Sequence, residues 1–450
     1  MTIHAVVLAA GQGTRMRSSM PKVLHPILGQ PLAAYALEAA RLATGSTPVM
    51  VVGHQAEEVQ KALGASADYV VQEPQLGTGH AVLQAEPLLK GKSEVVLVTY
   101  ADMPLLTVDT LKQLIDVHHS GCCAVTMLTM IAEDPRGFGR VVRDTEGRVQ
   151  AIVEEASATP EQLAIRELNT GVYCFDADWL WHALKEVKVS PKGEYYLTDL
   201  AGMAVTENKG VQALAINETS EMIGINNRIH LWEAENAMRA RINRSWMLEG
   251  VTIIDPNMTY IESGVTIGRD TVIWPNCYLQ GNTEIGESCV IGPNTIIRST
   301  KVGRDCTIEA SVLESALVED DVEMGPFAHL RKGAHLASGV HMGNFGEVKN
   351  SYLGPGTKMG HFSYLGDANI GTNVNIGAGT ITCNFDGVKK HPTEIGENAF
   401  IGSDTMLVAP VKIGEGARTG AGSVVTKNIE PYTLAVGVPA RAIRKLEKHD

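Results

Sequence analysis

The chain has 450 residues, with 38 Lys and Arg against 51 Asp and Glu and a formal charge of −13 at pH 7. That length is too great for one core, so two or three domains are expected, and the acidic balance argues against nucleic-acid or acidic-membrane partners. The first apolar run has no basic segment ahead of it and no stretch of about 18 apolar residues offers a membrane span, so a cytoplasmic protein is expected.

Ile3 to Leu8 reads as a buried strand, and the stretch Leu8 to Lys22, LAAGQGTRMRSSMPK, follows it. Gly11 and Gly13 let the backbone turn sharply and aim N–H groups at an anion, while Arg15 and Lys22 add two cations, the make-up of a polyphosphate site. No Walker pattern is present, and Met16 occupies the third glycine position of a dinucleotide fingerprint.

To about residue 226, strands at Val49–Val52, Tyr69–Val71, Val95–Thr99 and Val172–Phe175 alternate with helical patterns at Leu32–Leu42, Thr107–His118 and Asp176–Val187. This predicts a mostly parallel sheet with helices on both faces and ligands beyond the carboxyl ends of its strands. In Gln72 to His80, Gly77 and Gly79 permit close backbone approach, and the amides of Gln72 and Gln75 offer the donor and acceptor that a uracil edge requires. The strand ending at Tyr100 delivers Asp102 to the sheet edge. There it either caps the helix starting near Val108 or, beside two phosphate-binding cations, holds Mg²⁺. Leu8 and Tyr100 border the same site. Gly137-Phe138-Gly139-Arg140 precedes a hairpin around Thr145 to Gly147, and Glu154, Asn169, Gly171, Tyr196, Thr198 and Asn226 add short polar groups suited to sugar hydroxyls. Asn227 to Glu249 contains neither Gly nor Pro and predicts one connecting helix ending before Gly250. The expected domains are therefore 1–226 and 250–450, joined by 227–249.

From about residue 251 an aliphatic side chain returns every sixth position, at Ile261, Ile267, Ile273, Leu279, Ile285, Ile291 and Ile297, then from Val318 to Val348 and from Ile395 to Ile413. This is the mark of a parallel β-helix with 18-residue coils. Arg331 and Lys349 should then stack in adjacent coils about 5 Å apart, a repulsion relieved by a shared anion, with Glu347 on the same strand face as Lys349. His361 follows, with Tyr364, Asn375 and Ala378 beyond it, and could take the proton from a sugar ammonium. The polar interruption from Cys383 to Glu394 reads as a loop covering this site. Seven cysteines, at 122, 123, 174, 277, 289, 306 and 383, form no CxxC pair and read as buried thiols in a reducing compartment.

The pattern G-x-G-T-R-M followed by Pro21-Lys22 resembles the signature of sugar-1-phosphate nucleotidyltransferases. With the later motifs, nearly the whole chain is similar to the bacterial bifunctional N-acetylglucosamine-1-phosphate uridyltransferase and glucosamine-1-phosphate acetyltransferase family. The resemblance implies a Rossmann-like front domain, a left-handed sense for the β-helix, a homotrimer, Mg²⁺, and UTP and acetyl-CoA as co-substrates for a cell-wall precursor. It implies phosphate contacts at Arg15 and Lys22, uridine contacts at Gln72, Gln75, Gly77 and Thr78, and metal ligands at Asp102 and Asn226. Acetylglucosamine contacts would be Gly139, Glu154, Asn169, Tyr196 and Thr198. In the rear half it implies His361 as the acetyl-transfer base and Arg331, Lys349, Tyr364 and Asn375 at the sugar phosphate, with Ala378, Asn384, Ser403 and Ala421 at acetyl-CoA. Three positions depart from the family: Ala101 precedes Asp102 in place of Gly, Phe385 stands where Tyr is common, and the coenzyme A arginine has no clear counterpart except Arg441. The rival readings are a monofunctional nucleotidyltransferase with a regulatory β-helix, and a β-helix that serves only trimerisation.

Overall fold

The computed structural model describes residues 2–135, 137–216 and 218–448. The chain forms two compact units, one up to Met238 and one from Arg239.

The first unit is built on a twisted sheet of β1 (Ile3–Ala9), β2 (Val49–Val52), β3 (Asp68–Val71), β4 (Val95–Tyr100), β5 (Val125–Ile131), β6 (Arg140–Arg143), β7 (Val149–Val153), β8 (Glu167–Asp176) and β9 (Val211–Ile216). Its main path runs β9-β5-β8-β4-β1-β2-β3. Val6 and Leu8 of β1 enter one apolar core and Ala5 and Val7 the other, as a strand covered by helices on both faces must. The helices Leu32–Thr44 and Val108–Gly121 supply one core, and Ala177–Glu186 with Asp199–Thr206 the other.

Along this path the sheet is parallel except where β8 runs against both β4 and β5, and the side strands β6 and β7 are antiparallel to each other, as β6 is to β8. The predicted Val172–Phe175 is only the end of this longer strand. Its reversal matters, because the start of β8, with Asn169, then lies beside the carboxyl end of β4. The predicted hairpin is the pair β6–β7. Thr107, whose side chain accepts from the Thr110 N–H, caps the helix beginning at Val108, so Asp102 is released from that duty.

The helix Arg228–Leu248 starts at Asn227, whose side-chain oxygen accepts from the N–H groups of Ile229 and His230 at 2.9 Å each. The division between the units falls within it. Its early part bonds to the first unit through His230 and Gly224, and its later part packs Ile242 and Trp246 against the core of the second.

The second unit winds into a triangular prism of three parallel sheets. All the aliphatic positions of the six-residue period lie in its core. The coils are not uniformly 18 residues long, as the sequence period suggested. Gln280 pairs with Arg298, eighteen residues on, but Glu284 pairs with Lys301, seventeen on. The missing residue is taken out of the corner, where Ser299 adopts φ 45°. Shortening a corner rather than a strand keeps the inward alternation intact. Buried corner threonines satisfy backbone carbonyls, as Thr271 does to Gly286 at 2.8 Å and Thr357 to Gly371 at 2.9 Å. The Cys383–Glu394 interruption swells one coil, so that Asn369 pairs with Glu394. At the end, Thr433–Gly437 and Ala440–Lys445 form an antiparallel pair, leaving a charged edge strand.

The cysteine reading needs correction. Cys174, Cys277, Cys289 and Cys306 are buried, but Cys122 is exposed and Cys123 and Cys383 are partly so, because Cys122 and Cys123 lie in the connection after the helix Val108–Gly121 and Cys383 is the outward-facing last residue of the strand Ile381–Cys383.

Leu330 is fully buried on the prism axis. Leu330→Ala is expected to destabilise the second unit by about 2–5 kcal/mol through the cavity left behind, measured as a shift in its denaturant unfolding midpoint.

Candidate active sites

The front site forms where β1 and β4 end. Beyond Ala9 the chain turns through Gly13 at φ 62°, where an added Cβ would lie 2.7 Å from the Cβ of Lys22. Glycine is required there both for the left-handed turn and for the close approach of Lys22. The Lys22 ammonium pairs with Asp102 Oδ2 and lies 3.5 Å from Asn226 Oδ1, which also accepts from Arg15 Nη2 at 2.9 Å. Thus Arg15, Lys22, Asp102 and Asn226, spread over more than two hundred positions, converge. Backbone bonds fix the arrangement: Ala101 N–H to Leu8 O and Ile225 N–H to Asp102 O, each 3.0 Å.

Next to this cluster opens a cavity of about 370 Å³ lined by Leu8, Gly11, Lys22, Gln72, Gln75, Gly77, Thr78, Tyr100, Asp102 and Tyr196, among others. Gln72 Nε2 spends its donors internally, on Gly77 O at 2.9 Å and His80 Nδ1 at 3.1 Å. Its carbonyl oxygen is left as an acceptor, so Gln72 offers half of the donor–acceptor pair that the sequence suggested. Gln75 Nε2 donates to Ala10 O at 2.6 Å and retains a second N–H. Gly77, at φ 99°, has no room for a Cβ because Tyr195 O would lie 2.6 Å away. That contact docks the segment carrying Tyr196, and Thr78 Oγ1 accepts from the Leu197 N–H at 3.0 Å.

The sugar-type polar groups gather beyond Tyr100. Glu154 Oε1 accepts from Thr198 Oγ1 at 3.1 Å, and the Asn169 N–H donates to Gly139 O at 2.8 Å. Burial, then the charges of Asp102 and Glu154, push the Tyr100 hydroxyl far above its ordinary pKa, so it acts as a neutral donor.

Glu221 was not anticipated. It is buried, and its Oε2 accepts from the Thr107 N–H at 2.9 Å and the Thr107 hydroxyl at 3.1 Å. This ties the loop after Asp102 to the segment leading to Asn226. No local motif marks such a carboxylate, because its partner is 114 positions away.

Among the described residues, no three or more His, Cys, Asp or Glu side chains are grouped to hold a metal. Asp102 and Asn226 instead offer one carboxylate and one amide oxygen, both turned toward the Lys22 ammonium. Two hard oxygen donors already facing a cation fit Mg²⁺, which completes its shell with water and phosphate oxygens.

The rear site lies on the prism. His329 pairs with Glu347 and Leu330 with Val348, which puts Arg331 and Lys349 in adjacent coils as the spacing requires. Glu347 bonds Arg331 at 2.9 Å rather than Lys349. Lys349 is held below its ordinary pKa first by Lys390 and then by Arg331, so three cations converge where two were expected. Lys390 comes from the loop in the swollen coil, where it pairs with Phe385, and reaches to 3.9 Å from Asp367 Oδ2. The same Asp367 holds Asn350 and Asn384, each at 2.6 Å. The insert was visible in the sequence, but nothing there aimed its lysine.

His361 is exposed at the corner before Ser363–Gly366, the strand carrying Tyr364, which pairs with the strand of Glu347 and Lys349. The pairs Lys358–Asn375, Asn375–Phe400 and Phe400–Arg418 place His361, Ala378, Ser403 and Ala421 one above another at this corner. Gly402 allows the close stacking, since a Cβ there would meet Thr419 O at 2.5 Å. Phe385 is 60% exposed on the loop. Arg441 lies in the terminal strand opposite Val436, its Nη1 donating to Ala440 O at 3.2 Å. No hydrogen bond among the described residues joins His361 to the cation group.

Comparison with known proteins bears on both halves. The nucleotidyl transferase family model matches residues 4–239. The bacterial transferase hexapeptide (six repeats) model matches residues 264–299 and 392–427, which makes the prism a left-handed β-helix. The bifunctional protein GlmU of Geotalea uraniireducens (strain Rf4) is 47% identical over 438 residues, covering 96% of this chain and 96% of that relative. That of Pelobacter propionicus is 48% identical, covering 96% and 95%, and that of Shouchella clausii is 45% identical over the same shares. With both family models in place and near-complete coverage at this identity, the chain belongs to the bifunctional GlmU family.

Proposed function

We propose that the chain makes UDP-N-acetylglucosamine in two reactions, acetylating glucosamine-1-phosphate from acetyl-CoA and then transferring UMP from UTP to the product with release of pyrophosphate. The observation that carries this reading is the presence, in one member of the GlmU family, of two separate cation clusters: Arg15 and Lys22 beside Asp102 and Asn226, and Arg331, Lys349 and Lys390 near the His361 column.

In the first reaction Arg331, Lys349 and Lys390 hold the sugar phosphate, with Tyr364 and Asn375 at the sugar. His361 takes the proton from the amine as it attacks the thioester. Ala378, Asn384, Phe385, Ser403, Ala421 and Arg441 form the coenzyme A surface. In the second, Gln72, Gln75, Gly77 and Thr78 seat uridine, and Gly139, Glu154, Asn169, Tyr196 and Thr198 seat the acetylated sugar. The sugar phosphate then attacks the α-phosphorus in line. Arg15 and Lys22 supply positive charge and position rather than covalent chemistry. Asp102 and Asn226 would hold Mg²⁺, which would supply further positive charge beside the phosphates. Uridylyl transfer belongs to residues 1–226 and acetyl transfer to 250–450, with 227–249 as the connection. The working unit in this reading is a cytoplasmic homotrimer formed through the β-helix.

A product assay with glucosamine-1-phosphate, N-acetylglucosamine-1-phosphate, acetyl-CoA, UTP and Mg²⁺ tests both halves at once. Uridylylation without thiol release would return the β-helix to a structural or regulatory role. Asp102→Ala is expected to abolish uridylyl transfer and spare acetylation, so loss of both would count against separate sites. His361→Ala should depress acetylation alone, and near-normal thiol release would remove the proposed base. Lys390→Ala should raise the KM for glucosamine-1-phosphate about 10-fold or more, as loss of a charge-assisted phosphate contact predicts, with the KM for UTP as the control.

A further inference from the structure

The strand β8 breaks register with β5 between Asn169 and Tyr173. Within this break the side chain of Asn169 folds back on its own strand. Its Oδ1 accepts from the Gly171 N–H at 3.2 Å and from the Tyr173 hydroxyl at 2.9 Å. Asn169 is 5% exposed and Tyr173 1%. A backbone N–H can only donate, so the atom facing Gly171 must be the amide oxygen, and the usual ambiguity of an asparagine is removed. The Tyr173 hydroxyl fills the second acceptor position of that oxygen. Asn169 Nδ2 is therefore turned away from both and has no partner among the described residues.

The surroundings say what that nitrogen can meet. The Asn169 backbone is tied to Gly139. A Cβ on Gly139 would stand 3.8 Å from Glu154 Oε2, and one on Gly171 would strike the Tyr100 ring at 2.7 Å. A fixed donor and an acceptor carboxylate thus belong to one polar cluster, suited to neighbouring oxygens of a sugar, one accepting and one donating. Strand irregularities beside active sites commonly re-aim a side chain in this way.

We infer that Tyr173 is a positioning residue for uridylyl transfer: its hydroxyl locks the Asn169 amide so that the NH₂ group is presented as a donor to an oxygen of the sugar phosphate. This rests on the proposed uridylyl-transfer reading. It goes beyond that reading in assigning a role to a side chain that touches no substrate and in fixing the polarity of the contact.

The test is a double-mutant cycle in the full-length protein, with separate KM values for N-acetylglucosamine-1-phosphate and UTP and with the thermal unfolding midpoint of the first unit as a measure of its folding. Tyr173→Phe keeps the ring and deletes one hydrogen bond. It is expected to raise the sugar-phosphate KM about 3–10-fold, the range for one hydrogen bond, and to leave the UTP KM within about 2-fold. Asn169→Asp keeps both accepting bonds but removes the donor, and should lower kcat/KM for the sugar phosphate at least about 100-fold, because acceptor then faces acceptor. Adding Tyr173→Phe to Asn169→Asp should change the sugar-phosphate KM no further, since the lock then has no donor to aim. Equal effects of Tyr173→Phe on both KM values, no effect on either, or full additivity with Asn169→Asp would each overturn the inference. Absence of uridylyl transfer in the unmodified protein would instead overturn the function on which it rests.

Discussion

An ammonium and a carboxylate meeting at the carboxyl edge of a sheet hold the front half of this protein in a chemically useful shape. Lys22 and Asp102 have side chains only 13% and 18% exposed, and charges so far removed from water are tolerated because they face each other. The contact pins the loop from Gly11 to Lys22 against the end of β4. Asn226, reached by both Lys22 and Arg15, brings a third segment to the same point. The two cations, the two side-chain oxygens and the mouth of the adjoining cavity are thereby set by one cluster. Gly13 makes it sterically possible, and Glu221 braces it from behind.

The prism reaches the same end by another route. It has no distant loops to gather, because each coil lies directly on its neighbour and sequence spacing becomes height. The Arg331–Lys349 stack and the His361–Ala378–Ser403–Ala421 column are consequences of register. A residue sixteen, seventeen, eighteen or twenty-five positions away becomes the next rung, according to what each corner omits or adds.

Much of this was legible in the sequence, for identifiable reasons. Apolar runs ending in Gly, Asp or amide residues marked the strands and their active edge, and the six-residue aliphatic period marked the prism. What escaped depended on long-range geometry. The antiparallel direction of β8 cannot be seen in its composition, yet it alone carries Asn169 to the correct edge. The partner of Glu347 depended on which way two side chains lean across adjacent coils, and it proved to be Arg331. Gln72 looked free to donate and accept, whereas Gly77 and His80 already use its donors. Lys390 sat in plain view inside the insert, but only the folded loop turns it toward Lys349.

The swollen coil carries a wider implication. Because Asn369 still pairs with Glu394 and Glu394 with Lys412, the extra length leaves the ladder above and below undisturbed. A corner of such a stack can be lengthened, recoloured or reshaped while the scaffold keeps count. Ligand preference in this architecture can therefore drift through its bends without any renegotiation of the core.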